Sequence, residues 1–253
     1  EGDRMISAMI FEPLMRMGGD GHFNSVLAKS VSMSEDGTSC QITLENKIRF
    51  SDGTEMTAAD VAFSIAAMCL TAEEDGDSLY LNIEGLEEFR NGSVEIPSGI
   101  EVTDAKHVTV HFAVPSPDNA LIAECQIQKR PENMEDGIAL VLPQISTAGI
   151  GTGAYVKEEG QTGGNIRLTA SVYYHEKIRD IKTVVFVPYG TYEVADAISR
   201  NEIDVAVLNG SGSDFDPFYD AKQFIIYEKP MDSVFYLSVN RDCLLYTSSE
   251  PTR

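Results

Sequence analysis

The stretch from Asp36 to Cys69 limits the possible fold more than any other part of this 253-residue chain. Cys40, Ile42 and Leu44 alternate with polar neighbours, Ile48 and Phe50 do the same, and an Asp-Gly pair stands beside each run, at Asp36-Gly37 and Asp52-Gly53. Period-two alternation is the mark of a strand with one buried face, and Asp-Gly suits the tight turns that connect strands. Thr57 then stands three residues before Asp60, the spacing of a helix start in which the two side chains cap each other's backbone. Val61, Ile65, Met68 and Cys69 fall on one face of the helix that follows. Strands and a helix are thus required within one layered unit.

The flanking segments extend this pattern. Met5, Ile6, Met9, Ile10, Leu14 and Met17 recur at spacings of three and four, predicting a helix interrupted near Pro13, and Gly18-Gly19-Asp20-Gly21 predicts a turn. After an acidic segment with a short helix around Leu86 to Phe89, Val102 and then Val108, Val110 and Phe112 return to strand alternation. A connection containing Pro115 and Pro117 leads through a poorly patterned region to Pro143. Gly149-Ile150-Gly151-Thr152-Gly153 is then expected as a tight turn before a strand at Ile166 and Leu168. From Lys182 a buried strand (184–187), a helix opened by Thr191 with Val194, Ala197 and Ile198 on one face, and an apolar strand (203–208) predict a β-α-β unit. Such a unit implies a parallel sheet with helices on its faces. The last third is therefore expected to be α/β, and residues 22–145 a mixed α+β insertion.

Charge narrows the partners. Forty acidic residues against 19 basic give a net charge of -21, which repels phosphate backbones and anionic lipid surfaces, so no nucleic-acid partner is expected. Cys40, Cys69, Cys125 and Cys243 show no metal-ligand spacing and prescribe no disulfide. Of the histidines His22, His107, His111 and His175, His107 and His111 share a strand face. Four residues of strand separate them by ~13 Å, too far to share one metal. No Gly-x-Ser-x-Gly elbow, His-Glu-x-x-His pair or phosphate-binding glycine loop occurs. Neither catalysis, a metal nor a cofactor is expected. No run of ~18 apolar residues occurs, and Glu1-Gly2-Asp3-Arg4 lacks the regions of a signal peptide, so the true N-terminus is expected upstream.

Particular runs carry a further signal. Phe11-Glu12-Pro13-Leu14-Met15-Arg16 looks like the opening "YEGLVR" of a known family. Ser51-Asp52-Gly53-Thr54-Glu55-Met56-Thr57-Ala58-Ala59-Asp60-Val61-Ala62-Phe63-Ser64 looks like its "DGTPLTAEDVVFS" block, and Gly151-Thr152-Gly153-Ala154-Tyr155 like its "GTGPY". Arg200-Asn201-Glu202-Ile203-Asp204 and Phe235-Tyr236-Leu237-Ser238-Val239-Asn240 continue the likeness, so that residues 5–240 resemble the family 5 extracellular solute-binding proteins. Departures are Ala154 where Pro is usual and Tyr174-His175 where Tyr-Trp is usual, in a chain with no tryptophan.

The resemblance implies the fold class: an α/β lobe carrying a mixed α+β side domain, the N-terminal half of a type II periplasmic-binding-protein clamp. It places the start of lobe I at 1–21, the side domain at 22–147 and the rest of lobe I up to the hinge at 148–242. Residues 243–253 fit nothing in the family and resemble translated adapter DNA, so they are expected to be a non-native tail on a chain truncated before its second lobe. The implied function is the substrate-binding component of an ABC importer, a monomer that captures peptides outside the membrane and passes them to the permease subunits. Contact with the membrane would be only through a lipid anchor upstream, at the periplasmic or cell-surface side. Ser233, Val234 and Tyr236 are expected to line the cleft, with Phe11 and Tyr80 as further candidates. The acid that receives a peptide's amino terminus would lie in the second lobe. Alternatives are another solute (nickel chelate, haem, glutathione, oligosaccharide) or a sensory or adhesive clamp without a permease.

Overall fold

The computed structural model describes residues 2–73, 78–132, 138, 149–158, 164–177, 180–190 and 193–207. The chain divides into two compact units, Glu1–Pro188 and Tyr189–Arg253.

In the first unit, α1 (Gly2–Ile10) ends sooner than the apolar spacing predicts, and Met15–Met17 forms strand β1 instead of a last helical turn. Pro13 has no N–H to donate and disfavours a helical conformation at Glu12 before it, so the helix closes at the Phe11 N–H to Ser7 carbonyl bond of 2.8 Å. β1 pairs antiparallel with β2 (Phe23–Ser25) across the predicted glycine-rich turn.

β3 (Ala28–Met33), β4 (Ser39–Leu44), β5 (Ile100–Asp104) and β6 (His107–His111) form an antiparallel sheet in the order β3-β4-β6-β5. Cys40, Ile42 and Leu44 of β4 face Val108 and Val110 of β6 on the buried side, as their alternation requires. Ile48 and Phe50 are buried as well, but their segment makes only a single bridge, Arg49 to Glu55, around the Asp52-Gly53 turn.

α2 (Ala58–Thr71) packs against β5 and β6, and ten of its fourteen residues are buried. The predicted single apolar face is too narrow. Ala58, Ala62, Ala66 and Ala67 extend burial almost all round, and a helix so apolar must lie inside the protein. Its start is the predicted capping box: the Asp60 carboxylate accepts the Thr57 N–H at 2.8 Å. Asp60 also accepts the Arg130 N–H at 2.9 Å, tying the helix start to a distant segment. α3 (Ser78–Leu81) and α4 (Leu86–Arg90) follow, and the Arg90 guanidinium covers the C-terminal end of α2 by donating to the Cys69 and Ala72 carbonyls. A 3-10 helix, Pro117–Glu124, completes this layer. Cys40, Cys69 and Cys125 are buried free thiols, each pushed up to about 12 by burial.

β7 (Tyr155–Lys157), β8 (Ile166–Ala170) and β9 (Thr183–Phe186) form a second antiparallel sheet, in that order. α1 packs here: Ile10, Phe11 and Leu168 make a separate small core with Ile6, Met9, Tyr155, Ile166, Val184 and Phe186 around it.

The described part of the second unit holds α5 (Val194–Ser199), with Val194 and Ala197 buried. The predicted helix is present but begins past Thr191. The β-α-β unit is not found among the described residues: β9 pairs antiparallel with β8, and 203–207 form no strand, with Val205 and Val207 exposed. An apolar run alone does not specify a parallel strand, because pairing depends on a neighbour that the run does not encode. The general architecture is nevertheless the expected mixture of helices and sheets.

Candidate ligand-facing site

Four segments bond to residues 10–14, and a fifth, at Ser51, joins them through Gly151. Leu14 is fully buried, and its carbonyl accepts N–H groups of Leu27 and Ala28 at 3.0 and 2.9 Å. The Glu12 carbonyl accepts the Ile127 N–H at 2.9 Å, and Pro13 bridges Gln126. The Ile10 carbonyl accepts the Gly153 N–H at 2.9 Å, while the Gly151 carbonyl accepts the Ser51 N–H at 2.8 Å.

The glycine run is explained by this approach of one backbone to another. A Cβ on Gly151 would lie 2.0 Å from the Ile10 oxygen, and one on Gly153 2.4 Å from the Met9 oxygen. Between them Thr152 is buried, and its Oγ1 has no hydrogen-bond partner among the described residues.

The Ser51-Asp52-Gly53-Thr54 turn is held by Asp52, whose Oδ1 accepts the Thr54 N–H at 3.0 Å and whose Oδ2 pairs with the Lys129 ammonium. Burial raises the Asp52 pKa, but the hydrogen bonds from Lys129 and Thr54 outweigh it and hold the carboxyl below its ordinary value. Gly53 has φ +88, and the Tyr173 ring lies against it, within 2.9 Å of where a Cβ would stand.

Tyr173 belongs to the turn of residues 171–177, which also delivers the main polar cluster. Glu12 is only 4% exposed. Its Oε1 accepts the Tyr174 hydroxyl at 3.2 Å and its Oε2 meets His175 Nε2 at 2.8 Å, while the two rings lie 4.8 Å apart between centroids. The hydrogen bond to Glu12 raises the His175 pKa against the opposing effect of burial, and burial followed by the charge of Glu12 raises that of Tyr174. The buried carboxylate thereby has two hydrogen-bonding partners, the Tyr174 hydroxyl and the His175 ring. Val172, in the same turn, is 86% exposed.

Phe11 is 8% exposed and packs in the small core with Ile10 and Leu168. Tyr80 is half-buried against the main core and is a hydrogen-bonding neighbour of Cys125. The structure does not bring these two side chains into one cluster. Ser233, Val234 and Tyr236 lie outside the described residues. His107 and His111 each sit beside an acid of β5, Asp104 at 2.8 Å and Glu101 at 3.8 Å. No group of three or more His, Cys, Asp or Glu side chains among the described residues is arranged to hold a metal ion, and no described helix is long and apolar enough to cross a membrane. Sequence reasoning did not pick out the pair Glu12 and His175. The available signal was an acid in a proline-containing break and a histidine in place of the usual tryptophan, with nothing local to connect them.

The chain is 24% identical over 200 residues to the oligopeptide-binding protein OppA of Lactococcus lactis subsp. lactis, covering 72% of this chain and 32% of that protein. It therefore spans about a third of that relative's length. Among solved structures it superposes on lactococcal OppA complexed with an endogenous peptide in the closed conformation, with a TM-score of 0.63 and 23% identity, covering 76% of this chain and 38% of the other. NikZ from Campylobacter jejuni in complex with Ni(L-His) gives a TM-score of 0.61 and 21% identity, covering 78% and 37%. Residues 22–252 match the bacterial extracellular solute-binding proteins, family 5, middle region. This chain belongs to that family of solute-binding proteins.

Proposed function

We propose that this chain is the ligand-capturing component of an ABC importer and that its solute is a peptide. The observation that carries the reading is the likeness to oligopeptide-binding OppA along 72% of the chain. The converging segments support it: residues 10–14, 51–54, 149–153 and 171–177 form a hydrogen-bonded platform on which one wall of a cleft would stand. Peptide capture of this kind works by backbone hydrogen bonds to an extended ligand and pockets for its side chains, followed by closure that contacts both sides. Ser233, Val234 and Tyr236 are proposed to line that cleft, with Phe11 and Tyr80 as further candidates, and delivery to permease subunits outside the membrane follows from the same reading. Enzymatic turnover has no part in it.

The test is thermal unfolding of the protein encoded by the complete gene, with a defined di- to nonapeptide library as one set of probes and Ni(L-His) as another. A peptide that binds only the folded state, present at about a hundred times its Kd, should stabilise by about 2.7 kcal/mol. Stabilisation by Ni(L-His) and by no peptide would reject peptide as the solute. Replacing Tyr236 by Ala should weaken the peptide response more than replacing the core residue Phe11 by Leu.

A further inference from the structure

We propose that His175 is a protonation-dependent latch that holds residues 171–177 against the segment after α1 through Glu12. This device is independent of which solute is bound.

Glu12 is fixed from behind, since its carbonyl is taken by Ile127 and the next residue bridges Gln126. Its buried carboxylate faces forward into the turn and meets only Tyr174 and His175 in hydrogen bonding among the described residues. A buried carboxylate without a cationic partner is costly, because burial penalises the ion and one neutral hydroxyl does not replace the lost water. The charged groups around the imidazole are Glu12 and Glu176, both acidic, and Arg16 acts on the neighbouring Tyr174. With His175 protonated, two acids and two bases balance. Without that proton the neutral ring still donates one hydrogen bond from Nε2, but the cluster keeps an uncompensated negative charge in a chain already at -21.

What the latch secures is visible in the same turn. The Ser171 N–H donates to the Ala154 carbonyl at 2.8 Å, the Tyr173 ring covers Gly53, and Ser51 beside it donates to Gly151. Loosening residues 171–177 therefore loosens the contact between the Asp-Gly turn and the platform around Ile10. The direction in pH follows from the shift. His175 is raised above its ordinary value of 6.5, so the latch is complete below that value and is lost as pH rises through the raised folded-state value.

The experiment has two readouts on the chain itself: the imidazole Cε1–H titrations of the four histidines, and hydrogen-exchange protection of the amides at residues 171–174, corrected for intrinsic rates. His175 should titrate above its ordinary value of 6.5, and Glu12→Gln should bring it down. Protection at 171–174 should fall about tenfold for each pH unit of the His175 shift, because one unit corresponds to a tenfold change in equilibrium. His175→Gln keeps a donor toward Glu12 but cannot titrate, so its protection should be independent of pH across this range. Titration of His175 at or below 6.5, or an unchanged loss of protection in His175→Gln, would overturn the proposal. The titration of His175 and the pH dependence of protection in the unsubstituted protein keep the test decisive even if a variant does not fold.

Discussion

Gly151 is defined by what lies beside it in space. The Ile10 carbonyl occupies the position a side chain would need, so Gly151→Ala must push two hydrogen-bonded backbones apart. Overpacking of this type costs about 1–3 kcal/mol. Gly19 is the control, with open space around its Cβ position and no left-handed backbone, so Gly19→Ala should stay within about 0.5 kcal/mol. Urea unfolding of both variants checks the pair, and equal midpoints would remove the close approach as the reason for the glycine run. The same residues mark where the sequence was opaque. Gly151-Thr152-Gly153 looked like a turn between strands, because a glycine demanded by a chain 141 positions away carries no local sign of it. Glu12 and His175, 163 positions apart, were hidden for the same reason.

At the scale of elements, legibility followed locality. α2 was readable because both halves of its capping box lie within four residues, and β4 because its buried side chains alternate within one strand. The strand at β9 was legible, but its antiparallel direction, and the lack of a strand at 203–207, were not, because strand direction and cover are set by neighbours. Even the secure helix held something the sequence did not reveal, which gives a prediction. Asp60 serves the Thr57 N–H within the cap and the Arg130 N–H from a distant segment. Loss of a cap alone costs about 1 kcal/mol, and loss of a hydrogen bond to a carboxylate adds about 1.5–3 kcal/mol. Asp60→Ala should therefore destabilise by about 2 kcal/mol or more in equilibrium denaturation, whereas Thr57→Ala, which leaves the Arg130 bond intact, should cost only the cap. Equal losses would mean that the Asp60–Arg130 bond contributes nothing.

For the whole molecule, two electrostatic effects oppose each other, and their balance can be measured. Forty acidic against 19 basic residues make the folded chain repel itself. Against this stand ion pairs that salt would weaken, but most of those among the described residues are exposed, such as Lys106 with Glu55 and Arg200 with Glu202. Exposed pairs contribute about 0–1 kcal/mol each, and the half-buried Lys129–Asp52 pair and the buried Glu12–His175 contact are sheltered from mobile ions. Raising ionic strength from about 0.01 to 0.15 M shortens the screening length from about 30 to 8 Å, which removes long-range repulsion while leaving contacts of 3 Å largely intact. The melting temperature at pH 7 should therefore rise with sodium chloride over this range. Repeating the scan at pH 5, where carboxylates begin to take up protons and the net charge shrinks, should give a smaller rise. A fall in melting temperature with salt at pH 7 would show instead that specific ion pairs outweigh the excess negative charge, and the Lys129–Asp52 pair would then be the first to remove, by Lys129→Met.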